Sequence, residues 1–408
     1  MDTSFVKVIL VTRSYNDLDC RLPLLREFSS RWGLPVSVLV IPTISSSGYR
    51  VTHPFLSQMK IPCVYAIDLL RMKWVRYVCF WTSRLVEQSP VPVLSYRVWT
   101  WLWRKIYDRL SNSSSISSGV LHLTSDALLI IDDIITTPSR SFIVPLLANN
   151  YFRKLFCLSH GQNTYLNLWH DKPRSPQLVA ERGPTITIYT PSDNDSRIFE
   201  SNYKGVRAVT IGNTRFDRDW ILNYQEKLLG PEKKLLPYRG TKIGFMMSKM
   251  EYGLNPAGVF ELINKLASRE NTKIVLKPHT RGMSLRRYTN LINGKAIIAD
   301  DVSSSEIINW SDIIIFTGSS IVFEAMIKRK RVLFLAALQK YQTIFDELPT
   351  TAVFKAGDDL DAAISIIEHG AYDYGAIDEF LASHTHNHIS DGRVCAVFAE
   401  RVISVLAN

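Results

Sequence analysis

The chain has 408 residues, 46% hydrophobic and 21% charged, which is too long for one ordinary core and too apolar for a disordered or low-complexity protein, so two domains are expected. Lys and Arg outnumber Asp and Glu by 48 to 38, a formal +10, pointing to an anionic partner: nucleotide phosphates, an anionic membrane face or nucleic acid. Cys20, Cys63, Cys79, Cys157 and Cys395 are scattered, with no CxxC pair and no metal-ligand spacing, which excludes a zinc module and suits a reducing, cytoplasmic setting.

The opening stretch MDTSFVKVILVTRSYND holds an apolar run of about six residues before Arg13, shorter than a signal-peptide core and far below the roughly 20 residues of a membrane span. A soluble or peripheral protein is expected. Residues 6–12 read as a buried parallel strand, RLPLLREFSSRWG as a helix stopped at Gly33, and LPVSVLVIPT as the next strand. Residues 71–110 depart from this rhythm: they hold five of the nine tryptophans, many Arg and Lys, and almost no acid. Two readings stand, a pair of helices packed on the first sheet with snorkelling Arg, or a basic aromatic stretch lying in a membrane interface. The serine-rich SNSSSISSG that follows is expected to be a surface loop.

Strand-like runs resume with ALLIIDD (127–133), KLFCLSHG (154–161), TITIYTPSDND and GVRAVTIGNTRFD. Residues 223–240, charged and with two prolines and two glycines, read as a link. The pattern then restarts with KIGFMMS, PAGVFELINKLASRE, TKIVLKPH, KAIIADD, SSSEIINWS, DIIIFTG, SSIVFEAMIKRK and RVLFLA. Strands alternating with helices predict an α/β protein of two Rossmann-like, doubly wound domains facing across a cleft. The expected limits are 1–225 for an N-terminal acceptor-binding domain, with an insertion at about 71–118. Residues 226–385 are expected to form the donor-binding domain, and 386–408 a C-terminal helix packing back toward the first domain.

Chemistry is expected where strands end. In IIIFTGSSIVFEA (313–325) an apolar strand meets a helix-like pattern at Gly318, Ser319 and Ser320. Free amides of a first helical turn, close backbone approach at the glycine and two hydroxyls together suit a phosphate, with Glu324 one turn on for ribose hydroxyls. The plainer alternative is that a serine merely caps the helix. IVLKPHTRG adds Lys277, His279 and Arg281 at another strand end, groups able to donate to a phosphate oxygen or offset leaving-group charge. Ser303 and Ser304, before Glu306, are expected to cap a helix beside the nucleotide. His160, after LFCLS, is placed to act as a general base on an acceptor hydroxyl. Asp132 and Asp133 compete for that role, and since neighbours on a strand face opposite ways only one would face the cleft. Arg215 is expected to orient the hinge or reach a phosphate. No DxD pair stands at a strand end of the second half, so a divalent metal is not clearly required and no metal ligand is assigned.

The order of HG (160–161), GNTRFD (212–217), KPH (277–279), TGSSIVFEA (317–325) and DGR (391–393) resembles the bacterial surface-polymer transferases of the GT-B fold, over roughly residues 155–393. In motif order it is most similar to the CDP-glycerol glycerophosphotransferase family and to capsule-type transferases using CMP-activated acidic sugars. The resemblance implies that His160 acts as the acceptor's base with Gly161 beside it, although Ser159 stands where that family often has Trp. It also implies that His279, Ser319 and Ser320 hold donor phosphates, although PHT here replaces a His between two prolines. The expected function is sugar transfer from a CMP-, CDP- or UDP-linked donor to a glycan or lipid-linked surface acceptor, with no tightly bound cofactor. The alternatives are transfer of a polyol phosphate from a CDP-alditol and a sugar-nucleotide 2-epimerase-like reaction. A nucleic-acid binder is not favoured, because no RNP, KH or zinc pattern accompanies the charge. The expected location is the cytoplasm, with residues 71–110 offering contact with the inner face of the plasma membrane.

Overall fold

The apolar runs become strands buried on both faces. The computed structural model describes residues 7–12, 15–40, 54–65, 127–132, 154–159, 161–168, 186–202, 206–229, 235–279, 292, 296–299 and 301–407. The basic tryptophan-rich segment and three candidate site residues, His160, Asp133 and Arg281, lie outside them.

Thirteen strands are described: β1 Lys7–Thr12, β2 Val36–Val40, β3 Cys63–Tyr65, β4 Ala127–Asp132, β5 Lys154–Leu158, β6 Ile186–Thr190, β7 Val206–Thr210, β8 Thr241–Met246, β9 Thr272–Lys277, β10 Ala296–Ile298, β11 Ile313–Phe316, β12 Arg331–Leu335 and β13 Val353–Phe354. The first sheet runs β3-β2-β1-β4-β5-β6-β7 and the second β10-β9-β8-β11-β12-β13. Every pairing is parallel. In each sheet the order reverses beside its first strand, between β1 and β4 and between β8 and β11. Doubly wound sheets open a ligand crevice at that reversal, outside the carboxyl ends of the strands. The chain is therefore an α/β protein with two parallel, doubly wound sheets.

Two units carry these sheets. One comprises Met1–Gly161, Ser175–Asp217 and Arg393–Asn408; the other comprises Gln162–Arg174 and Arg218–Gly392. In the first, the helix Val394–Ala407 packs on the helix Tyr15–Arg26. Its Phe398 lies edge-on to Phe156 of β5, with centroids 6.0 Å apart, and to Tyr189 of β6 at 5.2 Å. The start of that helix receives a carboxylate from far upstream: the Cys395 amide donates to Asp217 Oδ2 at 2.8 Å, an acid where the amide end of a helix favours one.

In the second unit the helix Pro256–Ser268 begins under an Asn255 cap with proline in its first turn and buries Val259, Phe260, Leu262, Ile263, Leu266 and Ala267. These pack on Ile243 and Phe245 of β8 and on Ile274 and Leu276 of β9. An aromatic cluster is also buried in this unit: the Phe345 ring centroid lies 4.9 Å from that of Phe316, 5.5 Å from Phe323, 5.6 Å from Phe334 and 6.0 Å from Phe380. Among the described residues no helix is long and apolar enough to cross a membrane. Because Phe345 is fully buried at the centre of its cluster, Phe345→Ala is expected to cost about 3–5 kcal/mol, measured by urea unfolding. A loss below about 1 kcal/mol would mean that the cluster is not packed as described.

Candidate functional site

The reversal point of the second sheet is built from two adjacent strand ends. Strand β11 is buried throughout and delivers Thr317, also fully buried, at its carboxyl end. Strand β8 delivers Ser248 beside it. The Ser248 amide donates to Thr317 Oγ1 at 2.9 Å, and the two hydroxyls lie 3.2 Å apart. Gly318 follows with φ +89°, a left-handed conformation that costs an L side chain but not glycine.

From Gly318 onward the carbonyls are pinned and the amides are not. Thr317 O accepts from the Gln339 side-chain amide, and Gly318 O accepts from Thr164 Oγ1 at 3.0 Å. Ser319, Ser320 and Ile321 carbonyls accept from the amides of Val322, Phe323 and Glu324 at 3.2, 3.2 and 3.1 Å. Among the described residues, no group accepts from the N–H groups of Gly318, Ser319, Ser320 or Ile321, and the half-buried hydroxyls of Ser319 and Ser320 are likewise unengaged. The helix that follows is only Val322–Ile327, starts later than the serines, and has no side-chain cap. Its dipole is correspondingly small, so the anion-binding capacity resides in the turn's own amides and hydroxyls.

Glu324 sits behind this turn, 2% exposed. Its Oε1 pairs with Lys328 Nζ at 3.0 Å, and its Oε2 accepts from Ser305 Oγ at 3.0 Å and Gln225 Nε2 at 3.3 Å. In this arrangement the carboxylate ties three elements together. Ser305 lies in the helix Ser304–Trp310, whose cap is Ser303, accepting from the Glu306 amide at 3.1 Å. Ser304, half-buried, opens that helix.

Lys277 ends β9, and its Nζ donates to the carbonyls of Ala299 at 3.2 Å and Val302 at 2.5 Å. The amine thus closes the turn after β10 while leaving a positive charge at the strand ends. His279 follows two residues on and is half-buried. Since β9 neighbours β8, it stands on the same carboxyl edge as Ser248 and Thr317.

In the first unit Asp132 is the last residue of β4 and pairs in register with Leu158 of β5. Ser159 follows β5; its carbonyl accepts from the buried Arg21 guanidinium, which also donates to Thr214 Oγ1 at 3.0 Å. Gly161 is left-handed at φ +66°. Arg215 forms an ion pair with Asp19 at 2.7 Å. Burial pushes the Cys395 thiol well above its ordinary range, reinforced by Asp217, so it is not a nucleophile. No cluster of three His, Cys, Asp or Glu that could hold a metal occurs among the described residues.

Sequence reading missed four residues at the reversal point: Thr164, Tyr165, Ser248 and Gln339. The first two come from the segment 162–168, which belongs to the second unit although it follows β5 of the first. The only available signal was its polar run, QNT (162–164), directly after the HG pair.

No family model and no curated protein matches this sequence. Solved structures do match over nearly the whole chain. A Listeria monocytogenes protein provisionally assigned as a UDP-N-acetylglucosamine 2-epimerase superposes with a TM-score of 0.57 at 13% identity, covering 98% of this chain and 96% of that one. UDP-GlcNAc 2-epimerase from Neisseria meningitidis, bound to UDP-GlcNAc, gives 0.52 at 12% identity over 98% and 100%. The spinosyn forosaminyltransferase SpnP gives 0.52 at 11% identity over 99% and 100%. These likenesses establish the fold: the two parallel, doubly wound sheets are those of the GT-B type, shared by epimerases and glycosyltransferases. Within that fold, Glu324→Leu removes the carboxylate partner of the largely buried Lys328 ammonium, leaving it Asn309 Oδ1 at 2.9 Å, and is expected to cost about 3–5 kcal/mol, read as a fall in urea midpoint. An unchanged midpoint would show that the carboxylate is not the tie between these elements.

Proposed function

We propose that the protein is a GT-B transferase that moves a sugar from a CMP-, CDP- or UDP-linked donor to a cell-surface glycan or lipid-linked acceptor. The observation that carries this reading is the Gly318–Ile321 turn, where four amides and two hydroxyls stand unengaged among the described residues at the reversal point of the second sheet. N–H donors without an acceptor of their own, in a turn whose carbonyls are fixed by bonds from Thr164, Val322, Phe323 and Glu324, are preorganised to receive the charge that develops on a departing phosphate.

In the proposed reaction the acceptor hydroxyl gives its proton to His160, which follows β5 in the sequence, with Asp132 and Asp133 as competing bases. The acceptor oxygen then forms a bond to the sugar's anomeric carbon as the bond from that carbon to the phosphate oxygen breaks. The electron pair goes to the phosphate, whose charge is met by the turn amides, Ser319, Ser320 and His279, within the field of Lys277 and Arg281. Ser303 and Ser304 support the neighbouring helix, and Arg215 supports the first unit. The donor is consumed as substrate, and no tightly bound cofactor or metal is assigned a role. Residues 71–110, outside the described set, are proposed to contact an anionic membrane surface.

Two other reactions use the same parts. Motif order favours transfer of a polyol phosphate from a CDP-alditol, and the whole-length likeness to 2-epimerases favours inversion at a sugar carbon with no acceptor. Thermal-shift measurements with CMP, CDP, UDP and GDP separate the donor classes. Cytidine or uridine nucleotides are expected to raise the melting temperature, with Ser320→Ala and His279→Ala each weakening binding by about tenfold, or about 1.4 kcal/mol. Protection by GDP alone would overturn the donor assignment. His160→Ala is expected to abolish transfer while leaving nucleotide binding near wild type; retained turnover moves the base to Asp132 or Asp133. Interconversion of a UDP-sugar with no acceptor present would replace transferase by epimerase.

A further inference from the structure

The segment 162–168 lies across the reversal point of the second sheet, and nearly all its hydrogen-bonding groups in view are engaged. Leu166 N donates to Gln342 O at 2.9 Å, Ile344 N to Thr164 O at 2.9 Å, and Gln342 N to Asn167 Oδ1 at 3.1 Å. Asn163 closes a local turn, accepting from Tyr165 N at 3.3 Å and donating to Tyr165 O at 2.9 Å. Thr164 Oγ1 holds the Gly318 carbonyl. The exception is the phenol of Tyr165. The residue is only 3% exposed, yet among the described residues its hydroxyl has no hydrogen-bond partner.

A buried hydroxyl with no partner opposes folding, and phenylalanine would fill the same space without that cost. The ring alone is well placed, edge-on to Tyr252 with centroids 5.3 Å apart, so packing accounts for the ring and not for the oxygen. Where the oxygen points is informative. It lies 3.0 Å from the position that a Cβ on Gly318 would occupy, and Gln339 Nε2 lies 3.4 Å from the same position. The Gln339 Oε1 is a second buried atom without a partner. Two orphaned polar atoms thus belong to side chains that close on Gly318, where a Cβ would crowd the phenol, next to four amides unengaged among the described residues. Burial pushes the Tyr165 pKa up to about 12, against a smaller opposing pull from the Ser248 hydroxyl, which falls short of hydrogen-bond geometry. The phenol therefore keeps its proton at neutral pH and can act as a donor.

We propose that Tyr165 is a donor-binding residue whose phenolic proton is directed at a non-bridging phosphate oxygen of a nucleotide-linked donor seated on the Gly318–Ile321 turn. This rests on the phosphate reading of that turn given above and extends it to a residue supplied by a distant part of the sequence. The phenol adds a donor to the amides and serine hydroxyls, and binding of the anion supplies the acceptor that the free protein lacks. Gly318 is then required twice, for its left-handed backbone and because a Cβ there would crowd the phenol.

The test uses the full chain, with CDP and UDP as probes, and compares wild type, Tyr165→Phe and Ser320→Ala by calorimetric titration and by melting temperature without ligand. Tyr165→Phe keeps the ring and removes only the orphaned oxygen. Its unliganded melting temperature is expected to equal or exceed that of wild type, while its affinity for the nucleoside diphosphate falls at least about tenfold. A lower unliganded melting temperature would assign the hydroxyl a structural role and overturn the proposal. Unchanged affinity in Tyr165→Phe with weakened affinity in Ser320→Ala would also overturn it, leaving the turn as the phosphate seat. Unchanged affinity in both variants, or no binding of either nucleotide to wild type, would overturn the turn reading together with it.

Discussion

Beyond its last ladder bond, a strand buried on both faces must turn so that its backbone groups can find new partners, because no water reaches them there. Strand β11 does so through Gly318, whose positive φ turns the chain so that the following carbonyls are satisfied while the amides beside them are not. Everything assigned to the second unit's site follows from that local geometry. The serines are displayed rather than spent as caps, the helix behind is short and contributes little field, and the segment 162–168 can approach because no side chain stands in its way.

Behind the turn, the network of Glu324, Lys328, Ser305 and Gln225 is a buried charged arrangement. Such groups contribute less to net stability than to fixing one arrangement over its neighbours, because desolvation offsets much of the attraction. Its position suggests what is being fixed. Glu324 is one turn beyond Ser320, so the carboxylate locks the short helix to the helix Ser304–Trp310 and holds the turn's amides steady. Rigidity of this kind is what electrostatic preorganisation demands of a binding turn.

Much of the fold was legible because its signals are local. Runs such as VKVILVT, ALLII, KIVL and IIIF are too apolar and too short for anything but buried parallel strands, and their alternation with helical periods implies a doubly wound order. The turn at Gly318 was legible for a related reason: a glycine and two serines interrupting an apolar pattern have few structural uses. What escaped was long-range. Glu324 looked like a ligand group, since no sequence pattern couples it to Ser305 or Gln225. Tyr165 drew no reading at all, since its neighbour Gly318 is over 150 residues away in sequence. The missing hydrogen bond on its phenol is a three-dimensional fact with no one-dimensional trace.

The helix Val394–Ala407 belongs to the first unit, and its amide end rests on Asp217, 178 residues earlier. During synthesis the first sheet therefore emerges long before the helix that covers Phe156 and Tyr189. The cover that Phe398 gives those rings arrives only after the whole second unit has been made, and a nascent chain lacking it is open to misassembly in the meantime. The order of manufacture and the order of assembly run differently in this protein, and the first unit is completed only by a helix made after the second.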